Sequence, residues 1–119
     1  MIVGSTTYFP MAGPSPLNQT RSCAFAYNKT ANGDPSYYAA DEYLDSPVAF
    51  PNGTVVALVH TEFPGNRFNS SGPAAPYCTG PAYPYCWTVS VGIVVSYDYG
   101  ATFHHLLPPP RHLVASVPY

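Results

Sequence analysis

The chain has 119 residues, a formal charge of −2, 46% hydrophobic and only 8% charged residues. With 4 Lys plus Arg it cannot build the basic stripe that phosphate binding needs, so no nucleic-acid partner is expected. No apolar run approaches the ~20 residues of a membrane-spanning helix, and 15 Pro with 9 Gly spread along the chain disfavour long helices.

What remains is an all-β chain with long Pro-rich loops. The 11 Tyr, 6 Phe and 1 Trp are too many for a chain that stays solvated, and they cluster with β-branched residues in strand-like stretches. Residues 1–45 read as irregular, with turn clusters at Met11 to Pro16 and Asn32 to Ser36 and one short strand at Cys23 to Tyr27. The pattern then sharpens. Ser46 to Phe50 is expected as strand A, Pro51-Asn52-Gly53-Thr54 as its turn and Val55 to Phe63 as strand B. Asn-Gly between apolar runs signals a type I′ hairpin, with positive φ at both central residues.

Residues 64–86 hold five Pro, three Gly and two Cys and read as a long loop. Cys86 to Tyr97 is expected as buried strand C, Asp98 to Ala101 as a tight turn and Thr102 to Leu107 as strand D, stopped by Pro108 to Pro110. Residues 46–107 thus form a four-stranded antiparallel meander. Residues 108–119 are a linker, with Leu113 to Val117 opening a following unit.

The most informative motif is Ser96-x-Asp98-x-Gly100-x-Thr102-Phe103. Asp98 can accept backbone N–H bonds across the turn, Gly100 supplies a positive φ, Thr102 can bond back, and Phe103 is aimed into the sheet's core. This octapeptide resembles the Asp-box of sialidase-like (BNR repeat) β-propellers. Asp45-Ser46-Pro47 entering a strand, followed by Pro-Asn-Gly-Thr and an apolar strand, is similar to the inner hairpin of a blade in that superfamily. The resemblance covers roughly residues 43–107 and implies a partial β-propeller. Propellers have ~4–8 blades of four strands, so this chain is expected to be a fragment of about one blade plus flanks, partnered by the remaining blades of a larger propeller.

Meander geometry puts the start of A, the end of B and the start of C on one rim, opposite the Asp98 turn. The resemblance implies a protein that binds or hydrolyses glycans at that rim. Hydrolysis needs two flanking carboxyl groups; Asp45 is the candidate base or nucleophile and Glu62 the candidate acid. His60, Arg111, His112 and Trp87 are candidate substrate-binding residues. A non-catalytic glycan- or protein-binding propeller and a small self-contained β domain are the alternatives.

No cofactor and no metal are expected. His104 and His105 are adjacent and face opposite sides of a strand, so they cannot easily share an ion. Cys78 and Cys86 are candidates for a disulfide, leaving Cys23 over. Asn18, Asn28, Asn52 and Asn69 each begin an Asn-x-Ser/Thr triplet, an excess that points to a secreted or cell-surface protein, although Met1 to Ser5 has neither the basic start nor the apolar core of a signal peptide.

Overall fold

The computed structural model describes residues 7–29, 32–64 and 87–116. Their regular structure is all-β and antiparallel, apart from one 3-10 turn at Pro35–Tyr37. The nine strands are β1 (Thr7–Tyr8), β2 (Met11–Ser15), β3 (Asn18–Arg21), β4 (Tyr27–Asn28), β5 (Asp41–Ala49), β6 (Val55–Pro64), β7 (Trp87–Ser96), β8 (His104–His105) and β9 (Leu113–Ser116). The main sheet runs β5-β6-β7-β8, with β9 also paired to β7, and is not closed into a barrel.

Alternation along β6 and β7 creates two unlike faces. On β6, Val55, Ala57, Val59, Thr61 and Phe63 are buried, while Leu58 is exposed and Val56, His60 and Glu62 are half-buried. Val59 stands opposite Gly92 and Ala57 opposite Val94, so these share the packed face. The N-terminal segment covers that face. Tyr27 joins Ala57, Val59 and Val94 in the core, with Tyr8, Leu44 and Phe103 packed around them.

The hairpin between β5 and β6 is not type I′. Pro51 locks its own φ near about −65°, and Gly53 alone in the loop has a positive φ, of 86°. Gly53 N–H donates to Phe50 O at 3.0 Å and Phe50 N–H to Thr54 O at 2.8 Å. This is a three-residue loop, a turn followed by a left-handed glycine. β5 also starts earlier than the sequence suggests, at Asp41, and bulges between Asp45 and Val48. Ser46, with φ 47°, and Pro47 occupy the bulge, which is where a strand tolerates a proline.

Four further expectations change. Met11 to Ser15 is a strand paired with β3, not a turn cluster. Of Cys23 to Tyr27 only Tyr27 is in a strand, where β4 pairs with β1. Strand D shrinks to His104–His105, and Leu113–Ser116 continues the same β7 edge instead of opening another sheet. The prolines between them break the edge into two short pieces that β7 is long enough to accommodate. The loop expected at 64–86, the Cys78/Cys86 pair and Asn69 lie outside the described residues, apart from Pro64, which ends β6.

Candidate functional site

At the lower end of the sheet, Asp98 organises the turn after β7. Its carboxylate accepts from Ser96 Oγ at 2.7 Å, Thr102 N at 2.8 Å and Thr102 Oγ1 at 2.6 Å, and Gly100 N–H donates to Ser96 Oγ at 2.8 Å. The Thr102 and Ser96 bonds hold the Asp98 carboxyl down at about 2. Gly100 has φ 86°, and Phe103 packs on the core. Both oxygens of Asp98 are engaged in its own turn, so its role is structural. The neighbouring β5–β6 loop docks here, with Tyr99 N–H donating to Gly53 O at 3.0 Å. A broad groove of about 650 Å³ beside this turn is lined by Met11, Ala12, Leu44, Pro47, Tyr99 and Phe103 among others. It is largely apolar, with Asp98 as the single acidic group among the described residues that line it.

The opposite end of the open face carries the polar groups. Register sets Asp41 opposite Glu62 and Tyr43 opposite His60 on β5 and β6, then Val89 opposite Glu62 and Trp87 opposite Pro64 on β7. Facing partners point to the same side of a sheet. His60 Nε2 lies 3.8 Å from Glu62 Oε1, and the Tyr43 and His60 rings are 5.9 Å apart. Trp87 is 54% exposed and is a diagonal neighbour of Glu62, about 7–8 Å away in an antiparallel pair. Tyr43, His60, Glu62 and Trp87 therefore share one patch.

Asp45 stands elsewhere. It is opposite Leu58, four residues from Glu62 along β6, or about 13 Å at ~3.3 Å per residue. Its Oδ1 accepts from Ser46 N at 2.7 Å, which fastens the bulge. Arg111 is exposed in the turn before β9, and its N–H donates to Pro108 O at 2.9 Å. His112, next in sequence, is 1% exposed on the packed face. His104 faces the open side beside Tyr97, with ring centroids 5.5 Å apart, while His105 turns inward.

Sequence reasoning missed a second cluster, on the packed face. Glu42, fully buried, lies 2.7 Å from His105 Nε2, and Tyr27 Oη lies 2.9 Å from the same nitrogen. The His105 and His112 rings are 4.3 Å apart, and His112 Nε2 meets Tyr38 O at 3.1 Å. Burial and the Glu42 carboxylate push the Tyr27 phenol far above its ordinary range, so it stays protonated. Burial, then the neighbouring His105, pushes the His112 imidazole down and keeps it neutral. The available signal was alternation: Glu42 is three before Asp45 and faces the other side. Nothing local links residue 42 to residues 105 and 112.

Comparison with known protein families, curated proteins and solved structures finds no match to this chain.

Proposed function

We propose that this chain forms one blade of a sialidase-like β-propeller whose upper rim binds glycans. The observation that carries the reading is the division of the open face. Val48, Val56, Leu58 and Ile93 lie towards the Asp98 end, and Tyr43, His60, Glu62 and Trp87 towards the other. The apolar half suits packing against an adjacent blade. The polar half pairs an exposed aromatic surface, on which a sugar ring can stack, with a carboxylate and an imidazole that bond its hydroxyls.

Binding fits better than hydrolysis. Asp45 and Glu62 are about 13 Å apart along the strands, beyond the ~5–10 Å that glycosidic chemistry uses. Asp41 faces Glu62 directly, but it is 4% exposed and its carboxylate is held by Lys29 Nζ at 2.6 Å. Hydrolysis would need a second carboxylate from another blade. The described sequon residues Asn18, Asn28 and Asn52 are all exposed, which suits a secreted or cell-surface protein.

A glycan array probed with the purified polypeptide tests the reading. Binding that Trp87→Ala and Glu62→Gln abolish, without turnover of chromogenic glycosides, supports it. No binding, or binding that both variants retain, removes the site.

A further inference from the structure

Glu42, His105 and His112 come from β5, β8 and the turn before β9, yet their donor atoms lie within 4.8 Å of one another. We propose that these three side chains bind a divalent transition-metal ion of the zinc class on the packed face of the sheet. The site is on the other side from the glycan patch and does not depend on it.

The donor set is the first support. Two imidazoles and one carboxylate are ligands that Zn²⁺ accepts, at ~2.0–2.2 Å, with a fourth position left for water. The hydrogen bonding of His112 is the second. Tyr38 O can only accept, so His112 Nε2 donates to it and Nδ1 is the ring nitrogen left over. That Nδ1 is buried and has no hydrogen-bond partner among the described residues. A ligating histidine commonly donates its other N–H to a backbone carbonyl, which fixes the ring. Tyr38 supplies that carbonyl from a left-handed residue, φ 51°, whose own N–H is tied to Pro35 O.

Glu42 and His105 add a proton for the metal to displace. At 2.7 Å they share one hydrogen. Tetrahedral ligands at these bond lengths stand roughly 3.3 Å apart, so exchange of that proton for a metal ion opens the Glu42–His105 pair by about 0.6 Å and closes the widest donor pair, within 4.8 Å, by up to about 1.5 Å, and the proton leaves to solvent. Tyr27 Oη remains beside them, 2.9 Å from His105 Nε2. The metal also offsets the charge of a carboxylate that is 0% exposed. It would clasp the β5 edge to the β8 and β9 edge, across two intervening strands.

The test is zinc stoichiometry of the purified, EDTA-stripped full polypeptide, read by equilibrium dialysis with ZnCl₂ and elemental analysis. About one Zn²⁺ per chain, with a higher melting temperature in its presence, is expected. Glu42→Gln and His112→Gln should weaken binding at least about a hundredfold, since even supporting residues cost 10–100-fold. Should either variant fail to fold, Co²⁺ bound to the parent protein gives an independent reading: visible ligand-field bands of a low-coordinate nitrogen and oxygen site support the proposal. Folded parent protein that binds no Zn²⁺, zinc retained by both folded variants, or six-coordinate weak Co²⁺ bands overturns it.

Discussion

Gly92 on β7 lies against the imidazole of His112: a Cβ at Gly92 would come within 2.6 Å of His112 Cδ2. A glycine inside a strand marks a close approach, and here it lets a histidine from the β8–β9 connection settle over the sheet. His112 O also accepts from Ile93 N at 3.0 Å, so the ring's own backbone is pinned. Gly92→Ala should destabilise the protein by about 1–3 kcal/mol in urea unfolding. In a His112→Ala background the same change should cost at least ~1 kcal/mol less. Equal costs in the two backgrounds would contradict the packing.

Asp98 gives an acid-sensitivity signature. Thr102 and Ser96 lower its carboxyl from 3.8 to about 2 in the folded chain. The folded value is the lower one, so the stabilisation is present above 3.8 and is lost as pH falls towards about 2. Asp98→Asn should therefore be less stable than the parent at neutral pH, with the gap closing across that window. Thermal melts at several pH values check this. A gap that stays constant would show that the carboxylate does not hold the turn.

Gly100 isolates a backbone effect. Its φ is 86°, and an added Cβ would meet Val55 Cγ2 at 3.7 Å, an ordinary contact. Strain alone should make Gly100→Ala cost about 1–2 kcal/mol. Gly100→Asn should cost less, since asparagine tolerates the left-handed region. Denaturant midpoints of the two variants decide; an Ala variant as stable as the parent would contradict the turn geometry.

The strands β6 and β7 were legible in the sequence because apolar, β-branched runs bounded by turn residues leave little freedom over Val55 to Phe63 and Cys86 to Tyr97, of which Trp87 to Ser96 is the strand. The start of β5 was not. Asp41, Glu42 and Asp45 are poor strand residues, and they are accommodated by tertiary partners: Lys29 for Asp41, His105 for Glu42 and the bulge for Asp45. Asn-Gly suggested a type I′ turn, but the preceding proline moved the turn back by one residue. The open-face patch was partly legible, since His60 and Glu62 two apart must share a side. The buried cluster was not, because Glu42 and His105 are 63 residues apart and only the fold brings them together.

Trp87 should matter for binding more than for folding. It is exposed and outside the core cluster, so Trp87→Ala should change stability by no more than about 0.5 kcal/mol. Its glycan affinity should fall about tenfold or more, equivalent to ~1.4 kcal/mol. Calorimetric titration beside thermal melts separates the two effects. A variant that unfolds but still binds would invert the assignment.

The most direct measurement is an amide-resolved NMR titration of the labelled polypeptide with a glycan selected on the array. Shift changes should concentrate at Tyr43, His60, Glu62 and Trp87 and leave Ser96 to Phe103 unmoved. Changes centred on the Asp98 turn or on the packed face, or none at saturating glycan, would contradict the rim-binding account.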